Sequence, residues 1–258
     1  MNTNLRHRYL VNFPNFTSLN DTFLVKEANP MSRAIKANHL TVTGVVQNPA
    51  FRVTKGVPFE SSLERDLIIM AQWHHGVKRI TAQPVTIEFK DKLGKDRVYT
   101  PDLLVEYCPQ PDPSWPQAVL YEVKYRKDLW ADWKRLRPKL SAARKWAHER
   151  GWHFKIMTEV EIRIPYLDNI MWLRGYRDNH LQSPAVAMIE QFLKVIEEAD
   201  IETVIAACSR DEKTKAIVLG VLWTMLAQGY LGTDLLEPLR MDSTVWLRRP
   251  EYDRKWPR

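Results

Sequence analysis

The chain is 258 residues long and 45% hydrophobic, enough for one large domain or two ordinary ones with real cores, which excludes disordered and fibrous classes. Its net charge of +7 favours a polyanionic partner. The opening MNTNLRHRYLVNFPNF lacks the unbroken apolar stretch of a signal peptide, and no apolar run is long enough to cross a bilayer, so a cytoplasmic protein with no membrane partner is expected.

Residues 1–57 hold seven Lys or Arg against two acids, Asp21 and Glu27, with short apolar pieces such as LTVTGVV broken by Asn and Pro. They read as an irregular basic arm with one short helix or strand, its cations either touching DNA phosphates or solubilising the surface. PFESSLERDLIIMAQW begins with serines and continues with Leu63, Leu67, Ile68, Met70 and Ala71 at helical spacing, which predicts an amphipathic helix ending near Gly76. Glu64 stands three residues after Ser61, the spacing of a capping box; the alternative is that it turns inward as a metal ligand. His74 and His75, adjacent at a helix end, face different ways and read as ordinary surface or core side chains.

After a connector, residues 85–89 and 97–107 are predicted strands joined by KDKLGKD, with Gly94 in the turn. Pro109, Pro111, Pro113 and Pro116 mark a loop, and AVLYEVK is the next strand. Residues 129–150 predict a long helix that Pro138 kinks or starts and Gly151 ends, followed by a strand at 152–157. A helix crossing between two strands is the pattern of an α/β sheet. Trp130, Trp133 and Trp146, at helical spacing, are expected to pack into a core. Residues 124–150 carry ten Lys or Arg and three acids, either a solvated face or a phosphate track, with Arg126, Lys127, Lys134 and Arg135 as the DNA-binding candidates.

A short helix at 166–177 precedes the polar DNHLQSP, where a domain boundary is expected. AVAMIEQFLKVIEEA, IETVIAACS and KTKAIVLGVLWTMLAQGYL predict three helices, and residues 231–239 and 244–248 two strands, a winged-helix-like set suited to DNA or to protein docking. The expected organisation is a basic arm (1–57), a mixed α/β domain (58–179), a small, mostly helical winged-helix-like domain (184–248) and a basic, aromatic tail (249–258). Cys108 and Cys208 have no metal-ligand spacing and read as reduced thiols.

The chemistry concentrates in YTPDLLVEYCPQPDPSWPQAVLYEVK. Strand periodicity puts Glu122 and Lys124 on one face, and pairing of the two apolar runs would bring Asp102 to it. Two carboxylates and an ammonium at a sheet edge suit a hard divalent cation such as Mg2+ and hydrolysis of a phosphodiester by water. Taken alone, the pattern is short, and a solvated strand face with a surface ion pair is its common alternative.

Pro101-Asp102 and Glu122-Val123-Lys124 resemble the PD…ExK core of restriction-type nucleases. SSLERDLIIMAQW, QPVTIEF, YTPDLLVEY and YEVKYR, in that order, resemble the TnsA family of transposon endonucleases, with weaker similarity over WHFKIMTEVEI. The resemblance implies a restriction-endonuclease-like domain that cuts the 5′ ends of a transposon while a TnsB-type transposase handles the 3′ ends. It implies a C-terminal domain contacting a TnsC-type ATPase, and target choice through an RNA-guided or TnsD/TniQ-type selector. By the same resemblance Glu64 completes an acidic cluster with Asp102 and Glu122 around Mg2+, with Mn2+ as a substitute, the Val123 carbonyl as a further ligand, and Lys124 orienting the attacking water or stabilising charge. Some relatives carry Gln where this chain has Glu122; a carboxylate there favours metal binding. A stand-alone restriction or repair nuclease and a non-catalytic DNA-binding adaptor are the alternatives.

Overall fold

The computed structural model describes residues 43–46, 56–74, 76–91, 93–109 and 115–248. The described chain divides into two units between Asp168 and Asn169. Most of the expected basic arm, His75 and the expected tail lie outside the described residues.

In the first unit, β1 (Gly44–Val46) pairs antiparallel with β2 (Val57–Phe59); of the short helix or strand expected in the arm, β1 is the strand. Helix α1 (Ser62–Trp73) follows and packs against β2 and β3 (Val77–Ala82). Ser61 caps α1, its hydroxyl accepting from the Glu64 N–H. A four-stranded sheet runs in the order β3, β6 (Leu103–Tyr107), β7 (Ala118–Val123), β8 (His153–Met157), antiparallel except for the parallel pair β7 and β8. Every residue of β7 is buried, as a central strand covered on both faces requires.

Residues 77–82, read from sequence as a connector, are the edge strand β3. Lys78 and Arg79 face solvent there, so the apolar signal of a strand is diluted. Residues 97–107 are two strands rather than one. β5 (Asp96–Tyr99) forms a hairpin with β4 (Ile87–Lys90), and β6 belongs to the main sheet. Pro101, which has no N–H to donate, stands at the break. Gly94, in the hairpin turn, takes a φ of +74° that suits glycine.

The predicted long helix is also divided. Short α2 (Arg126–Ala131) ends at Asp132, and α3 (Trp133–His148) carries Pro138 in its second turn, where the missing N–H removes a single helical bond. The helix crosses from β7 to β8 and lays Ala142, Ala143, Trp146 and Ala147 on Leu104, Ala118 and Leu120 of the sheet and on Ile87, Phe89 and Tyr99 of the hairpin. Three alanines let the helix backbone approach the sheet closely. Trp146 is core as expected and Trp133 is half-buried, but Trp130 is 66% exposed, contrary to the packing role expected for it. No side chain of the six-residue α2 is fully buried, so helical spacing there marks no core face.

Thr158 caps the short α4 (Glu159–Ile162) with a complete capping box closed by Glu161. Helix α5 (Pro165–Leu173) spans the division between the units, which falls before the polar DNHLQSP stretch. Asn169 accounts for the early division: its amide donates to the carbonyls of Leu235 and Glu237 at 2.8 and 2.7 Å, and its Oδ1 accepts from the Leu239 N–H at 2.9 Å.

The second unit holds α6 (Pro184–Ile196), β9 (Glu198–Asp200), α7 (Ile201–Cys208), α8 (Glu212–Ala227), β10 (Leu231–Thr233) and β11 (Thr244–Leu247). The three helices are those expected, with Ser183, Asp200 and Asp211 as N-caps. The first stops at Ile196, short of the expected end, because Glu197 takes a φ of +71° and the chain turns into β9. That strand, unforeseen from sequence, pairs with β11 and makes a three-stranded antiparallel sheet. Ile189, Leu193, Ile201, Val204, Leu222, Met225 and Val245 are buried in this unit.

Candidate active site

Asp102 precedes β6 and Glu122 is the last but one residue of β7. The antiparallel register sets Leu103 opposite Tyr121, so Asp102 and Glu122 are opposite one another on one face of the sheet. Asp102 is fixed from three sides. Its N–H donates to the Tyr121 carbonyl at 3.1 Å, its carbonyl accepts from the Gln83 N–H at 2.9 Å, and its Oδ2 accepts from the Val123 N–H at 2.6 Å. Gln83 reaches that carbonyl from a φ of +47°, an uncommon conformation for a residue with a side chain.

Glu122 extends the stripe of Ala118 and Leu120 that lies under α3, and it is only 3% exposed. A buried carboxylate requires partners. The Tyr99 hydroxyl donates to its Oε2 at 2.5 Å, and the Lys139 ammonium donates to its Oε1 at 2.9 Å while standing 4.4 Å above the Tyr99 ring. Sequence reasoning overlooked both residues. Lys139 could have been found, because it precedes Ala142, Ala143 and Trp146 at i, i+3, i+4 and i+7 and is thus a lysine in a core stripe. Tyr99 ends a strand whose other residues are exposed, and nothing in the alternation marks it as a carboxylate partner.

Lys124 donates its N–H to the Met157 carbonyl at 3.0 Å, extending the β7–β8 ladder and keeping its side chain on the Glu122 face of the strand. Its charge is felt at Asp132, whose carboxyl is held below the usual range chiefly by the Arg135 hydrogen bond and in smaller part by the charges of Arg135 and Lys124. The ammonium that contacts the acids is therefore that of Lys139.

Glu64 bonds back to the start of α1, as the capping spacing predicts, but through the Ser61 hydroxyl and the Glu60 N–H rather than the Ser61 N–H of a complete capping box. One oxygen accepts from the Glu60 N–H at 2.9 Å and the other from the Ser61 hydroxyl at 2.8 Å. It nevertheless lies within electrostatic reach of the other two acids. Burial raises its carboxyl above the ordinary value against those two hydrogen bonds, with the charges of Glu60 and Glu122 adding to the rise. Asp102 is pushed well above the carboxylate range, first by burial, then by the charge of Glu122, with Glu64 contributing and the Val123 N–H opposing. Burial and the charges of Glu122 and Asp102 also hold the Tyr99 phenol well above its usual value.

Asp102 and Glu122 fit a hard divalent cation. They are two oxygen donors, Glu122 buried and Asp102 half-buried, opposed across paired strands, whose mutual repulsion a dication relieves. Glu64 does not complete a ready-made set: its oxygens accept from Glu60 and Ser61 at the start of α1, and among the described residues no three His, Cys, Asp or Glu are grouped to hold an ion. Arg126, Lys127, Lys134 and Arg135, the candidate DNA contacts, are all exposed on α2 and the first turn of α3, with Arg135 paired to Asp132. His74, set aside from metal binding, accepts the Gly76 N–H on Nδ1 at 3.1 Å and lies against the rings of Tyr107 and Trp115.

Residues 74–159 match the family model described as TnsA-like endonuclease N terminal. The match contains Tyr99, Asp102, Glu122, Lys124 and Lys139 and begins after Glu64. No curated protein matches the chain. Among the described residues no helix is long and apolar enough to cross a membrane.

Proposed function

We propose, from the match of residues 74–159 to the TnsA-like endonuclease model and from the site it contains, that the chain is a metal-dependent DNA endonuclease of a Tn7-like transposition machinery, cutting the non-transferred strand at the 5′ ends of the transposon. The observation that carries the reading is the Asp102–Glu122 pair, opposed across two paired strands with Glu122 buried and Asp102 half-buried, the charge of Glu122 raising the Asp102 carboxyl. Asp102, Glu122 and the Val123 carbonyl would hold Mg2+, or Mn2+ in its place, and Glu64 would join them if one of its oxygens left its cap. The bound ion supplies Lewis-acid stabilisation of the phosphodiester and lowers the pKa of water.

The rest of the work falls to the protein. The Val123 N–H fixes the Asp102 carboxylate and the Tyr99 hydroxyl fixes Glu122 Oε2, so the two acids are oriented before substrate arrives, while the Lys139 ammonium balances the charge at Glu122 Oε1. Lys124, on the same strand face, stabilises negative charge as the P–O bond breaks. Arg126, Lys127, Lys134 and Arg135 neutralise phosphates along the bound strand.

The second unit serves protein docking in this reading. Three helices and a three-stranded sheet support a winged-helix-like description, yet residues 184–248 hold six Lys or Arg against ten Asp or Glu. An acidic module is poorly suited to a phosphate backbone and suits a TnsC-type ATPase.

The test is strand cleavage in a mixture reconstituted with a TnsB-type transposase, a TnsC-type ATPase and transposon-end DNA. Asp102→Asn is expected to abolish Mg2+-dependent 5′-end cleavage and to leave the chain folded by circular dichroism. Unchanged 5′-end cleavage removes Asp102 from the chemistry, and cleavage without either partner protein makes the chain a stand-alone nuclease.

A further inference from the structure

Helix α2 leaves the sheet at the end of β7, directly after Glu122 and Lys124, and it is held at both ends. The Arg126 N–H donates to the Glu159 carboxylate at 2.8 Å where α4 begins, and Asp132 at the other end bonds to Arg135 within the field of Lys124. Between these anchors no side chain of the helix is fully buried, and its largest, Trp130, is 66% exposed. An indole fixed on a short, tethered helix and left in water is a binding surface without its ligand.

The charges around it say which ligand. Arg126 and Lys127 precede Trp130 and Lys134 and Arg135 follow it, all exposed, against Asp128 and Asp132. A tryptophan face flanked by cations is what a nucleic-acid base and its phosphates require, and stacking reads any base because every base has a π-face. In a paired duplex the base faces are already covered by their neighbours. A surface indole gains its stack only where a base is unpaired.

We propose that Trp130 stacks on an unpaired base of the DNA beside the cleavage position, so that the preferred substrate is locally opened rather than fully paired. The inference rests on reading Asp102 and Glu122 as the cleavage site. Arg126, Lys127, Lys134 and Arg135 hold the strand on either side of the indole.

The test uses the full chain carrying Asp102→Asn, without divalent metal, titrated against an intact duplex and against the same duplex with a short single-stranded gap containing a fluorescent adenine analogue. Tighter binding to the gapped DNA is expected. Trp130→Ala should weaken gapped-DNA binding roughly tenfold and remove the fluorescence change of the analogue, leave intact-duplex affinity unaltered, and keep the slope of affinity against salt, since no phosphate contact is lost. Trp130→Phe should retain most of the affinity, which guards against a folding defect. An equal loss on both DNAs, no loss on either, or no DNA binding by the parent chain overturns the proposal; no loss on either DNA turns the indole toward a protein partner. The two readings fail separately. Unchanged cleavage by Asp102→Asn sinks the catalytic assignment while a Trp130-dependent fluorescence change stands, and the reverse pattern leaves the acids and removes the stack.

Discussion

Two buried acids in the first unit, Asp66 and Glu122, are each 3% exposed, and their surroundings are opposite. Asp66 receives two guanidinium groups: Arg65 on Oδ1 at 3.0 and 2.7 Å, and Arg163 on Oδ2 at 3.1 Å. Arg163 goes on to donate to the Ser62 and Tyr125 hydroxyls at 3.0 and 3.2 Å, so the cluster ties α1 to the end of α4 and the start of α2. Glu122 receives one ammonium and one phenol, and it faces Asp102 with Glu64 in range. At Asp66 cations outnumber the acid; around Glu122 acids outnumber the cation. The first arrangement is finished as it stands and holds helices together, whereas the second is short of positive charge, the imbalance on which the proposed cation site rests.

Exchanging each acid for its amide should therefore give opposite phenotypes. Glu122→Gln is expected to lower Mg2+-dependent strand cleavage by roughly a thousandfold, the scale of several kcal/mol of lost charge stabilisation, with the melting midpoint little changed. Asp66→Asn is expected to cost about 1–3 kcal/mol of stability, because partners built around a charged acceptor lose it, and to retain cleavage per folded molecule at low temperature. Thermal melts and single-turnover cleavage on the same preparations decide the matter. A Glu122→Gln variant that melts early and still cuts would invert the comparison.

What sequence reasoning could reach follows the same division. Asp102, Glu122 and Lys124 were legible because strand periodicity is local, and the register that opposes Asp102 to Glu122 needs only the two apolar runs to pair. The edge strand β3 was hidden by Lys78 and Arg79 on its exposed face, and β9 is a three-residue strand formed by pairing with distant β11. Of the partners of Glu122, Tyr99 was out of reach for a related reason: it ends an exposed hairpin strand that meets Glu122 only in the folded chain. Lys139 did leave a spacing, as a lysine in the core stripe of α3, although that spacing does not name its partner. Glu64 shows the limit from the other side: its local signal, three residues after Ser61, describes what its oxygens do, while its electrostatic link to Glu122 is a tertiary fact.

Lys139 gives the next sharpening. Its ammonium occupies Glu122 Oε1 and must yield that oxygen to any cation that uses it. Lys139→Met removes a like charge from the site, so calorimetric titration should show Mn2+ binding about tenfold more tightly, about 1.4 kcal/mol. The corresponding exchange at the other cluster, Arg163→Met, should leave Mn2+ affinity where it was. Weaker binding by Lys139→Met would mean that the lysine holds Glu122 in place for the ion and does not compete with it.

The smallest effect concerns pH and needs no ligand. Asp102 has a carboxyl well above the ordinary range in the folded chain, through burial and the neighbouring charges of Glu122 and Glu64. A carboxyl raised on folding favours the folded state while it is protonated, so its contribution is complete below the unfolded value and is lost as pH rises through the folded one. The metal-free chain thus grows less stable from this source as pH rises above the ordinary carboxylate range. Asp102→Asn cannot ionise, and its amide oxygen can still accept the Val123 N–H. Its melting midpoint should match that of the parent at acidic pH and exceed it near neutrality by about 2–4 °C, the equivalent of about 1 kcal/mol in a chain of this size. Adding Mg2+ should erase the difference by stabilising the parent alone. An advantage for the variant that is constant across pH would trace to packing around residue 102 and would leave the site without the excess of negative charge that distinguishes it from Asp66.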